Sequence, residues 1–206
     1  MERYPVVAGA HTAQIEVLRS RFIADVAPVD SIEAAHQFIA LIRARYSDAS
    51  HHCYAFVVGP PGSTARVGQS DDGEPHGTAG RPMLNVLLHT DVGDIVAVVT
   101  RYFGGTKLGK GGLVRAYGQA VQAALAEVSV TIKIDWMSLT ICVSYAHSDA
   151  VRRLYASFEA ELLNEAFADV LQHRVRLPRT QRTEFIQAIR DATRGQAVIE
   201  EDEQSA

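Results

Sequence analysis

Between Ile95 and Gly112 the chain passes from an unbroken apolar run into a segment of five glycines, and few folds can accommodate that transition. Ile95 to Thr100 is β-branched and apolar and reads as a buried strand. Arg101-Tyr102-Phe103-Gly104-Gly105 closes the strand. After the glycines, Leu113, Ala116, Tyr117, Ala120, Val121, Ala124, Leu125 and Val128 recur at three and four residues and mark a long amphipathic helix ending near Ser129. From Arg101 through Arg115 there are four basic residues and no acid. Glycines let backbone N–H groups converge, and a helix N-terminus adds partial positive charge, so Arg101, Tyr102, Gly104, Gly105, Lys107, Gly109, Lys110 and Arg115 form a candidate site for a phosphate or an RNA backbone. The bland alternative is a purely structural glycine turn. Gly104 to Lys110 satisfies the G-x-x-x-x-G-K of a nucleotide-binding loop, but Gly111 stands where a magnesium-holding Ser or Thr belongs, and the flanking pattern is not a repeated parallel βαβ unit.

A second unusual stretch precedes it. Ser70-Asp71-Asp72-Gly73-Glu74-Pro75-His76-Gly77-Thr78-Ala79-Gly80 is too rich in breakers for regular structure and reads as an ordered loop. Three carboxylates within four residues raise one another's pKa unless a cation, a metal or backbone N–H groups offset them. The commoner arrangement is bonding to nearby backbone amides. The alternative is a metal-assisted or acid/base site of a small hydrolase, with Asp71, Asp72, Glu74 and His51 as ligands or proton-transfer groups. The string has neither EF-hand spacing nor a paired-histidine motif, and no metal or other cofactor is assigned. In His51-His52-Cys53-Tyr54, strand alternation places His51 and Cys53 on one face and His52 and Tyr54 on the other. Cys53 reads as inert core, whereas His51 can face the carboxylate loop.

The remaining pattern supplies the frame. Ile15 to Val17 and Phe22 to Val26 read as one or two strands. Asp30 and Glu33, at capping-box spacing, open a helix through Tyr46. Cys53 to Val58 is a strand, and Pro82 starts a short helix through Leu88. From Trp136 the order is strand (139–143), helix (148–158), strands (162–164 and 170–177), helix (179–192) and strand (197–199), which is the ferredoxin-like β-α-β-β-α-β unit. Gly195 suits the last helix stop, and 200–206 reads as a frayed tail. The domain boundary is expected at 133–135, giving units of 1–134 and 135–206. Arg174, Arg176, Arg179 and Arg182 cluster among enough acids to read as a solvated, mixed-sign face.

A net charge of −4 and a pI near 6.0 supply no global attraction to nucleic acid, so any such binding must come from a local patch. Two cysteines without CxxC spacing argue against a disulfide framework. No signal-peptide pattern and no run of about 18 apolar residues is present, so a cytoplasmic protein without a membrane span is expected.

The quoted loops, Ser70-Asp71-Asp72-Gly73-Glu74-Pro75 with Gly77-Thr78-Ala79-Gly80, and Arg101-Tyr102-Phe103-Gly104-Gly105 with Leu108-Gly109, together with His51 and Tyr54-Ala55, closely resemble those of the YigZ/IMPACT family, in its bacterial two-domain form. The resemblance spans almost the whole chain. It implies an α+β protein: an N-terminal domain like domain 2 of ribosomal protein S5, followed by a ferredoxin-like domain similar to a late domain of elongation factor G. It also implies His51, Asp71, Asp72, Gly73, Glu74, Thr78 and Gly80 as a motif loop. The expected function is a non-catalytic RNA- or ribosome-associated accessory role in translation. The alternatives are a small metal-assisted, peptidase-like hydrolase or a regulator using the same face on a protein partner. Eukaryotic relatives act in a stress-kinase pathway through a further N-terminal domain not found in these residues, so that partner is not carried over.

Overall fold

The computed structural model describes residues 3–202, which divide into two compact units, the first from Arg3 to Lys133 and the second from Ile134. In the first unit the elements are β1 (Arg3–Val7), β2 (His11–Val17), β3 (Ser20–Pro28), α1 (Ile32–Arg45), β4 (His51–Val57), β5 (Val67–Ser70), α2 (Gly80–Leu88), β6 (Ile95–Tyr102), α3 (Gly109–Glu127) and β7 (Val130–Ile134). Five strands form one antiparallel sheet in the order β2-β3-β6-β4-β5, and β1 pairs with β7 as a separate ribbon. The central strands β3 and β6 are buried along nearly their whole length. On one face Phe22, Ala24, Cys53, Ala55, Ala97 and Val99 pack against α2 and α3; on the other, Ala27, Phe56, Val96 and Val98 pack against α1. An all-antiparallel sheet with helices on both faces explains the continuous apolar run of β6, since neither face meets water.

Strands β2 and β3 form a hairpin, with Val17 opposite Ser20. Its two turn residues, Leu18 and Arg19, both have positive φ, 47° and 65°, the conformation of a type I′ turn. Neither is a glycine or an asparagine, so the turn carried no sequence signal. β1, β5 and β7 were equally silent. One expectation is corrected: α1 is capped by Ser31, whose Oγ accepts from Ala34 N at 3.1 Å, and not by Asp30. A serine hydroxyl one position closer to the helix reaches the free N–H.

The second unit comprises β8 (Trp136–Val143), α4 (Ser148–Ser157), β9 (Glu161–Phe167), β10 (Leu171–Pro178), α5 (Arg182–Ala192) and β11 (Val198–Glu201). Its sheet order, β11-β8-β10-β9, is that of the ferredoxin-like unit, with all neighbours antiparallel. Burial alternates along β8 and β10, so one face carries the core of Leu139, Ile141, Val175, Leu177, Phe185 and Ile189. Gly195, at φ 76°, ends α5 by donating its N–H to Arg190 O at 2.7 Å. Glu200 and Glu201 belong to β11 rather than to a frayed tail; residues 203–206 lie outside the described residues. The four clustered arginines are each paired: Arg174 with Asp202, Arg176 with Glu161, Arg179 with Asp135 and Arg182 with Glu201. Among the described residues no helix is long and apolar enough to cross a membrane.

Candidate nucleic-acid interface

Strand register assembles the floor of the site. His51 of β4 lies opposite Arg101 of β6, and Arg101 lies opposite Phe22 of β3, so all three share the sheet face covered by α2 and α3. A charged Arg101 on a buried face needs a partner, and Glu74 from the carboxylate loop provides it: Nη1 donates to Glu74 Oε1 at 2.6 Å, with side chains only 7% and 4% exposed. The same Oε1 accepts from Tyr117 Oη of α3 at 2.9 Å. Tyr117 is fixed in turn by an edge-to-face contact with Phe22, ring centroids 5.2 Å apart. Arg101 also donates to Ser20 Oγ at 3.4 Å and lies over the rings of Phe22 and Phe103. Its Nε has no partner among the described residues.

The three carboxylates do different work. Asp71 accepts from Gly77 N at 2.7 Å, Ala79 N at 3.0 Å and Gly80 N at 2.9 Å, so it serves as the missing cap of α2, whose own cap position, Ala79, has no side-chain acceptor. Partial burial alone would raise its pKa, but these three backbone donors outweigh it and hold the Asp71 carboxyl below the usual range. Asp72, at φ 42°, accepts from Arg43 Nη2 and from His52 N, each at 2.7 Å, and its own carbonyl receives His51 Nδ1 at 2.8 Å. That bond leaves His51 Nε2 turned toward Glu74, 4.0 Å from Oε1. Gly73 lies against the His51 ring, and Thr78 Oγ1 donates to Pro75 O at 2.6 Å. Cys53 Sγ donates to Asp71 O, and burial pushes its thiol up to about 12. Among the described residues no three His, Cys, Asp or Glu side chains converge as metal ligands.

The glycine loop folds over this floor. Gly104 sits so close to the β2–β3 turn that a Cβ would lie 2.0 Å from Arg19 C, and its N–H donates to Ser20 Oγ at 3.1 Å. Gly109, at φ 70°, makes the left-handed turn that aims the chain into α3, a conformation side chains resist. Gly105 is an exposed loop residue. Between the two loops opens a cleft of about 590 Å3 lined by Ser50, His51, Glu74, Pro75, Arg101, Phe103, Lys107, Leu108, Gly109, Lys110 and Leu113.

The structure thus brings together His51, Glu74, Arg101, Lys107, Gly109 and Lys110. It does not bring in Tyr102, which alternation turns to the opposite sheet face, where Oη donates to Asp48 and the ring stacks under Arg21. Arg115 borders a different depression, with Leu18 and Gln119. Asp71, Asp72, Thr78 and Gly80 brace the walls from behind. Ser20, Phe103 and Tyr117 belong to the site although loop composition did not single them out as site residues; Tyr117 was visible only as a core position of the α3 stripe. A smaller cleft of about 340 Å3 beside β1 is a poorer candidate, because its Asp94 is already bound to Tyr4, Lys133 and Gly59 N.

Fold and site together define a two-unit α+β protein with a basic, glycine-rimmed cleft on a buried ion pair. The model of the Impact N-terminal domain matches residues 18–125, and that of a domain of unknown function, DUF1949, matches residues 141–196. The chain is 40% identical over 195 residues to the IMPACT family member YigZ of Escherichia coli, covering 95% of this chain and 96% of that protein. It is 34% identical over 92 residues to the Protein IMPACT homolog of Saccharomyces cerevisiae, covering 44% of this chain and 35% of that protein. A crystal structure described as that of an hypothetical protein superposes with a TM-score of 0.71 at 38% identity and covers 100% of both chains. The protein belongs to the IMPACT family.

Proposed function

We propose that the protein is a non-catalytic RNA- or ribosome-facing accessory protein of translation, and that the cleft between the carboxylate and glycine loops is its contact surface. The observation that carries this reading is the placement of Lys107 and Lys110. Both are exposed at the cleft, at the start of a 19-residue helix with no acid in its first turn, and neither has an ion pair among the described residues. Charge left uncompensated at a helix N-terminus attracts phosphate. The carboxylates do not cancel it, since Glu74 is committed to Arg101 and Tyr117, Asp72 to Arg43, and Asp71 to backbone N–H groups. A metal-assisted hydrolase would need Asp71, Asp72, Glu74 and His51 to share a ligand; their separate commitments give that reading less support.

The test is co-sedimentation with ribosomal subunits from cell extract at low and moderate salt, comparing wild type with Lys107→Glu/Lys110→Glu. Salt-sensitive association lost in the variant is expected. Association unchanged by the double charge reversal, or absence of the wild type from every ribosomal fraction, overturns the proposal. Arg101 is left intact in this test because its removal would unseat the floor of the cleft.

A further inference from the structure

Resting on the RNA-facing reading, we infer that the cleft takes single-stranded RNA, with one base stacked on Phe103 and the adjoining phosphate over the start of α3. Phe103 is 51% exposed at the rim of the cleft. It is not loosely held. The next residue, Gly104, is clamped against Arg19 and Ser20, and the Arg101 guanidinium lies 5.6 Å from the Phe103 ring centroid. An aromatic face presented rigidly to solvent beside lysines is the arrangement by which proteins hold unpaired bases, since any base can stack on it while cations track the backbone.

The anion half of the site rests on two independent features. One is the α3 N-terminus with Lys107 and Lys110. The other is Arg101, a lining residue only 6% exposed whose buried Nε–H has no partner among the described residues. The cleft, about 590 Å3, has the size of a small-ligand site, for which about 300–1,000 Å3 is usual. Its lining combines the apolar Leu108 and Leu113 with the polar His51, as a base and its edge require, whereas the face of a duplex, with its bases stacked inside, offers Phe103 nothing to stack on.

The experiment is fluorescence anisotropy with a labelled single-stranded RNA of about eight nucleotides, within the usual range for such sites, and with the same sequence as a duplex. Wild type, Phe103→Ala, Phe103→Trp and Lys107→Ala/Lys110→Ala are compared, with thermal melts to check folding. Wild type is expected to prefer the single strand. Phe103→Ala weakens it roughly five- to 150-fold, the usual worth of one stacked base, while Phe103→Trp retains affinity. Equal affinity for the duplex, or an unchanged constant in a folded Phe103→Ala protein, overturns the inference. If ribosomal association still depends on Lys107 and Lys110 in that case, the accessory-protein reading stands alone; if wild type binds neither RNA nor ribosomal fractions, both fall.

Discussion

Removing the guanidinium of Arg101 should be far more damaging than removing the two lysines above it. The Arg101–Glu74 pair is closed to solvent at both ends, 2.6 Å apart. In Arg101→Ala the Glu74 carboxylate keeps only the Tyr117 hydroxyl as a donor, and the packing of the guanidinium over Phe22 is lost as well. Breaking a buried pair from one side costs about 3–5 kcal/mol, because a desolvated charge is left behind. With a urea m-value of about 2 kcal/mol/M, that lowers the unfolding midpoint by roughly 2 M. Trp136, the only tryptophan, belongs to the second unit, so its fluorescence would report poorly on the change. Far-UV circular dichroism in urea, with peptide-resolved hydrogen exchange over β4 and β6, is the suitable assay. Adding Glu74→Gln to Arg101→Ala should recover part of the loss, about 0.5–3 kcal/mol of coupling. A cost under about 1 kcal/mol for Arg101→Ala, or no recovery in the double variant, would refute the claim that desolvated charge holds the floor together.

Asp71→Ala should cost about 0.5–2 kcal/mol, the worth of a helix cap. Because the folded pKa of Asp71 is depressed, its contribution is present above the unfolded pKa near 4 and is lost as pH falls through the lower folded value, so the variant should show a flatter acid limb in melts between pH 5 and 2. Gly104→Ala should destabilise by roughly 1–3 kcal/mol or more, since the new methyl group meets backbone that cannot yield; a melting temperature within 1 °C of wild type would contradict the close approach. Cys53, with a thiol pushed up to about 12, has a thiolate fraction on the order of 10⁻⁵ at pH 7 and should resist thiol reagents until the chain unfolds, while half-buried Cys142 reacts first; peptide mapping of labelled protein decides this.

Much of this architecture was legible in local patterns. Period-three and period-four apolar spacing located α1 and α3, and the breaker-rich carboxylate loop announced itself by composition. The ferredoxin-like order followed from alternation that survives in β8 and β10 as a covered and an open face. What escaped had no local signal. The Leu18–Arg19 turn uses residues that do not favour it, β1 and β7 are short strands meeting from opposite ends of the first unit, and the edge strand β5 contains Gly68.

The residues alone determined that two chemically distinct loops exist, that one is acidic and the other basic, and that both border buried strands. They could not determine which acid meets which base. Glu74 finds Arg101 across 27 positions and Tyr117 across 43, while Ser20 reaches Gly104 across 84. Such partners are chosen by strand register and helix packing, because a one-residue slip along β6 would exchange the faces of Arg101 and Tyr102. Tertiary structure therefore decided that Arg101 is a structural floor, that Tyr102 lies outside the cleft, and that Phe103 stands exposed at its rim. Periodicity and turn chemistry act over a few residues and are written in the chain, whereas the pairing of buried charges is settled only when distant segments exclude water together.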